Sequence, residues 1–81
     1  MKIIVNIQLK EGVLDPQGKA VHHALSSLKF NEVQEVRIGK QIILDINEMD
    51  KNSAQKRVEV MCEELLANTV IENYTIEFPT C

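Results

Sequence analysis

The chain contains no tryptophan, one tyrosine and two phenylalanines among 81 residues. With so few rings, its core must be built from Ile, Val and Leu, which supply most of a hydrophobic fraction of 44%. Cysteine is equally scarce: Cys62 and Cys81 share no CxxC spacing, and in a reducing compartment they are not expected to bridge. A basic excess is missing too. Nine Lys and Arg, scattered along the chain, face twelve Asp and Glu for a net charge of −3, which excludes nucleic acid and anionic membrane as partners. No apolar run approaches ~20 residues, and no charged n-region leads into an apolar h-region, so a cytoplasmic location is expected. Residues 1–81 are expected to form one domain. A chain this short buries only roughly 60% of its unfolded surface, so some of its apolar surface is expected to face another subunit.

What is present reads as alternating elements. Ile3, Val5, Ile7 and Leu9 alternate with Lys2, Asn6, Gln8 and Lys10, the period of a strand with one buried face. Gly12 ends that run. Asp15 then offers a helix N-cap and Pro16 fits the first helical position. Ala20, Val21, Ala24, Leu25 and Leu28 share one helical face, and Asn31 tolerates the left-handed conformation that would close the helix. Gly18 and Lys19 break the rules of a first turn, because glycine weakens a helix and a cation opposes the positive end of its dipole. Such departures point to a contact role.

Further on, Val36, Ile38, Ile42, Leu44 and Ile46 share one parity, interrupted only by Lys40. A hairpin turning at Gly39-Lys40 would put Ile42, Leu44 and Ile46 on the face of Arg37, so parity favours one strand, bulged or bent near Gly39. From Val33 to Ile46 it would extend about 45 Å. That is too long for a domain with a radius of gyration of roughly 12 Å, and the excess is expected to pair with another chain. A second helix starts near Asp50 with Ala54, Val58, Met61, Cys62, Leu65 and Leu66 as its apolar stripe. Asn68 ends it, and a last strand carries Tyr74, Ile76 and Phe78 on one face. The order β-α-β-α-β predicts an α+β two-layer sandwich with both helices on one face of an antiparallel or mixed sheet. It is related to the ferredoxin-like arrangement, with a long bent central strand in place of the central hairpin.

Candidate chemistry is thin. His22-His23 point about 100° apart on a helix, with no further ligand at helical spacing, and read as exposed. Cys62 sits in an apolar stripe and reads as a buried structural thiol. Gly39-Lys40 lacks the remaining glycines and the Ser or Thr of a phosphate loop and reads as a strand bulge. Arg37 and Lys40 leave an anion or acidic-partner contact open. No pair of carboxylates stands out as acid and base. The expectation is a chain with no catalytic, cofactor-binding or metal residue, whose partner-contact candidates are Asp15, Pro16, Gly18, Lys19, Arg37, Gly39 and Lys40.

The stretch from Leu9 to Val21, Val36-Arg37-Ile38-Gly39-Lys40, Met61-Cys62-Glu63-Glu64-Leu65-Leu66-Ala67-Asn68 and Val70-Ile71-Glu72-Asn73-Tyr74 together closely resemble the PurS family. These are the small subunits of bacterial and archaeal phosphoribosylformylglycinamidine synthase. The similarity runs from about Lys2 to Phe78; Thr69 departs from it, standing where the family usually has proline. The resemblance implies a non-catalytic subunit of de novo purine biosynthesis, acting as a dimer or tetramer. It would bridge a glutaminase and an ATP-dependent synthetase and support ammonia transfer between them. The complex converts formylglycinamide ribonucleotide, glutamine and ATP to the amidine, ADP, phosphate and glutamate, so ATP and magnesium would belong to the partners. The competing reading is a small-ligand regulatory domain of the ACT or signal-transducing kind. An acylphosphatase-like enzyme would need an Arg in the loop after the first strand, and Glu11-Gly12-Val13-Leu14 supplies none.

Overall fold

A computed structural model describes residues 1–47 and 50–79. Cys81 lies outside them, and with it the expectation that Cys62 and Cys81 stay unbridged. Strand β1 spans Lys2–Leu9, helix α1 Pro16–Ser27, strand β2 Gly39–Asp45, helix α2 Lys51–Met61 and strand β3 Glu72–Glu77. The three strands form one antiparallel sheet in the order β2-β1-β3. This is the expected α+β element order.

Register follows from the period-two pattern. Ile3 faces Leu44, Val5 faces Ile42, and on the other side Val5 faces Ile76 and Ile7 faces Tyr74, so the apolar residues of all three strands share one face. α2 covers that face. Its Ala54, Val58 and Cys62 are buried with Ile3, Val5, Ile7 and Ala67, while Ile42, Leu44, Tyr74 and Ile76 pack half-buried around them. At about 2 kcal/mol for each large side chain taken from water, the β1 row is the strongest stabilising element of the layer. Lys40 interrupts the row near the start of β2, where it pairs with Ile7 and reaches Glu72, Nζ to Oε2, at 3.9 Å.

α2 starts where its sequence predicts and is capped there, the Asp50 carboxylate accepting from the Asn52 and Ser53 N–H groups at 3.3 and 3.4 Å. It runs on into a wider π-helical turn, Cys62–Leu66, closed by the Ala67 N–H on the Cys62 carbonyl at 3.0 Å. The extra residue in that turn shifts the phase of the stripe. Leu66 and Ala67 go inward, and Leu65, expected inside, is 83% exposed. Asn68 then organises the turn into β3, its side chain accepting from Val70 N–H and its carbonyl from Ile71 and Glu72. Thr69 therefore stands in a turn held by hydrogen bonds without proline.

Four expectations are corrected. The strand foreseen from Val33 to Ile46 begins only at Gly39: the Ile38 N–H is taken by Asp15, and β1, which ends at Leu9, leaves residues 33–37 no strand of this chain to pair with. In the sheet itself the central strand is β1, with β2 at an edge. The α1 stripe does not join the core either: only Gly18 of that helix is buried, and α1 takes no part in the hydrophobic cluster. Its end differs as well. Lys29, not Asn31, takes the left-handed conformation, at φ 76°, with Lys29 N–H on the Ser26 carbonyl and Phe30 N–H on the Leu25 carbonyl, the Schellman pattern. With α1 standing off the sheet, the radius of gyration is 16.1 Å and the extents are 49 × 31 × 14 Å.

The single tyrosine of the chain gives a direct test of the α2–β3 packing. Tyr74 donates its hydroxyl to Glu63 Oε2 at 2.9 Å. That bond, followed by burial and the carboxylate's charge, pushes the phenol up to about 12. A raised phenol stabilises the fold below its unfolded value of about 10, and the contribution is lost as pH rises through about 12. Absorbance near 295 nm, free of tryptophan, should titrate late in the native protein, and Glu63→Ala should bring the midpoint back toward 10. A native midpoint already near 10 would refute the bond.

Candidate interaction site

All seven contact candidates lie where β1 ends, α1 begins and β2 starts, and the chain folds that way for local reasons. A turn follows β1, with Val13 N–H on the Lys10 carbonyl at 3.1 Å, and it needs Gly12 at φ 84°. It delivers Asp15 to the N-cap of α1. One carboxylate oxygen of Asp15 accepts from Gly18 N–H at 2.8 Å and the other from Ile38 N–H at 2.7 Å. Asp15 is 5% exposed. The Ile38 bond first, then the Gly18 bond and the Arg37 charge hold its carboxyl below the usual carboxylate range, against the opposing effect of burial. A lowered carboxyl stabilises the fold above its unfolded value and loses that contribution as pH falls through the folded one.

Asp15 thus joins two segments remote in sequence, the start of α1 and the approach to β2. Three further contacts tighten the same junction. The Arg37 guanidinium donates to the Val13 carbonyl at 2.9 Å and to the Lys10 carbonyl at 3.2 Å. His22 Nε2 donates to the Val33 carbonyl at 2.9 Å. Gly18 packs so closely that a Cβ there would stand 2.3 Å from the Val36 carbonyl oxygen. Residues 33–38 are therefore attached to α1 through their backbone, which is why they leave the strand pattern that their parity suggested.

The candidates separate by role. Asp15, Pro16 and Gly18 build the helix start, and Arg37 ties the turn after β1 to the approach to β2. Gly39 opens β2 opposite Gln8, where a Cβ would meet the Ile7 carbonyl at 2.8 Å. Gly18 and Gly39 are thus accounted for by backbone approach, whereas Lys19 is exposed and lines an open depression of about 430 Å³ between α1 and residues 34–37. A neighbouring depression of about 260 Å³ shares Asp15 and reaches Gly39 and Lys40. His22 is the residue the sequence reading missed. It was expected exposed, yet it is half-buried. Its position four residues after Gly18, on the same side of the helix, is the signal that could have found it.

This arrangement holds backbone in place. Its polar groups are spent on carbonyls and N–H groups, and what it offers outward is a rigid surface with Lys19 on it. Cys62 is buried under the sheet, and burial, then the charges of Glu63 and Glu59, push its thiol up, away from the reactive thiolate. Among the described residues no three His, Cys, Asp or Glu side chains converge as metal ligands, and no helix is long and apolar enough to cross a membrane.

A family model described as PurS, phosphoribosylformylglycinamidine (FGAM) synthase, matches residues 2–80. The chain belongs to the PurS family. Among its relatives, the phosphoribosylformylglycinamidine synthase subunit PurS of Bacillus subtilis is 57% identical over 76 residues, covering 94% of this chain and 89% of that one. A solved structure of B. subtilis PurS superposes with a TM-score of 0.84 at 56% identity, covering 94% of both chains. A chain in the structure of PurLQS from Thermotoga maritima gives a TM-score of 0.85 at 34% identity, covering 94% of this chain and 93% of that one. PurS relatives therefore share both the α+β fold and nearly the full length described for this chain.

Proposed function

We propose that this chain is the non-catalytic small subunit of phosphoribosylformylglycinamidine synthase in de novo purine biosynthesis. It acts as a dimer or larger assembly that holds a glutaminase and an ATP-dependent synthetase subunit together and supports ammonia transfer between them. The family match across residues 2–80 carries the reading. The likeness to a chain of the T. maritima PurLQS structure supports the choice of partners. Exposed apolar residues on α1 and an elongated shape support self-association. The seven residues from Asp15 to Lys40 are proposed as the partner-facing end, with Lys19 as its outward group. ATP, magnesium and glutamine belong to the larger subunits, and the setting is cytoplasmic.

The test is product formation by the two catalytic subunits with and without this chain, driven first by glutamine and then by high ammonium. Omitting the chain should depress the glutamine reaction by on the order of tenfold or more, because only that reaction needs a nitrogen handed between subunits in fixed geometry. The ammonium reaction should fall far less. Undiminished glutamine-dependent turnover in its absence would defeat the proposal.

A further inference from the structure

Residues 13–38, which are α1 with its flanking segments, are tied mainly to themselves. No residue between Leu9 and Gly39 belongs to the hydrophobic core or to the half-buried apolar side chains packed around it. Among the described residues, the hydrogen bonds that leave this stretch end on one atom, the Lys10 carbonyl oxygen, which accepts from Val13 N–H at 3.1 Å and from Arg37 at 3.2 Å. No ion pair among those residues joins it to the sheet or to α2.

Its two ends are instead clasped to each other. Asp15 accepts from Ile38 N–H at 2.7 Å and Arg37 donates to the Val13 carbonyl at 2.9 Å, so the chain entering the stretch is held to the chain leaving it. His22 on Val33 and Gly18 against Val36 close it further along. Beside the clasp, an open depression of about 260 Å³ lies between Asp15 and Ile38 on one side and Ile7 and Leu9 on the other. We propose that residues 13–38 form an arm that opens as one unit at this clasp, α1 parting from residues 33–38, while the three-stranded sheet and α2 stay folded. Glycines stand at both ends of the arm, Gly12 and Gly39, and can absorb the change of backbone angle. Closed, the arm presents Lys19, Gln34 and Glu35 in one fixed arrangement. Opening releases that arrangement without disturbing the core, as in the low-stability units from which responsive segments are drawn. The inference is independent of which partner the chain holds.

Native-state hydrogen exchange of the full chain, read peptide by peptide by mass spectrometry, tests it. In wild type, peptides within residues 16–38 should exchange at least about tenfold faster than those of β1 and α2. Asp15→Asn combined with Arg37→Gln undoes the clasp, because an amide accepts at one oxygen only and the guanidinium is gone. In that variant residues 16–38 should exchange about a hundredfold faster than in wild type. β1 and α2 should remain protected, and Tyr74, bonded to Glu63 across β3 and the end of α2, should still titrate late. Equal protection of arm and sheet in wild type overturns the inference. So does a variant in which arm and sheet lose protection together, failure to fold included, or one in which α1 keeps its wild-type protection.

Discussion

Gly18→Ala should destabilise the protein by about 3 kcal/mol, a large effect for one added methyl group on a helix, where alanine is ordinarily the better residue. By propensity the change should gain roughly 1 kcal/mol. The geometry reverses the sign, because the new Cβ would sit 2.3 Å from the Val36 carbonyl oxygen and the neighbouring atom is backbone. Either α1 moves away from residues 33–38 or those residues move away from α1. Asp15 bonds Gly18 on one side and Ile38 on the other, so either shift also strains the carboxylate that joins them. Urea denaturation of the variant, beside Lys19→Ala as the exposed neighbour, measures it. A Gly18→Ala protein as stable as wild type would show that the helix start does not rest on residue 36. Because the glycine is structural, Lys19 is the better position for probing partner contact without damaging the fold.

The second large effect is at Cys62, which is fully buried beneath β1. Cys62→Asp would place a carboxylate among Ile3, Val5 and Val58 with no cation at hand, since the nearest charges are those of Glu63 and Glu59. Neither ionised nor protonated is such a group tolerable there, and a cost of several kcal/mol is enough to unfold so small a domain. Cys62→Ala removes only the sulfur and should cost about 1 to 2 kcal/mol. Thermal melts of the two variants against wild type give the comparison. Equal stability would mean that the thiol is not in the core.

The two predictions rest on residues that were unequally legible in the sequence. Cys62 could be placed in the core because it stands in a stripe with Ala54, Val58 and Leu66, and period alone decides which side of a helix is wet. The same logic identified the apolar face of each strand, and Asp15 as a cap and Asp50 as the start of the second helix were each legible from a few neighbouring residues. Leu65 was misplaced because no local signal announced the wider turn that follows Met61. Residues 33–38 and the α1 stripe were misread for a different reason. Their environment is set by contacts across the chain, such as Ile38 with Asp15 and Val33 with His22, which periodicity does not encode. At the candidate site, Gly18 stood out as a departure from helix rules and Arg37 as an anion or acidic-partner contact, while the carbonyls they meet became visible only once the chain was folded.

Those carbonyls carry a consequence for how the protein tolerates change. The junction at the helix start is written in main-chain atoms on one side, the oxygens of Lys10, Val13, Val33 and Val36 and the N–H of Ile38, and in side chains on the other, those of Asp15, His22 and Arg37. An oxygen on the backbone is the same whichever residue bears it. Gln34 and Glu35, both exposed, can therefore be exchanged freely to suit a different neighbour without loosening the attachment, whereas Asp15, Gly18 and Arg37 cannot. The loop before β2 is in this sense a blank surface on a fixed mount, free to be rewritten for binding while its position stays constant.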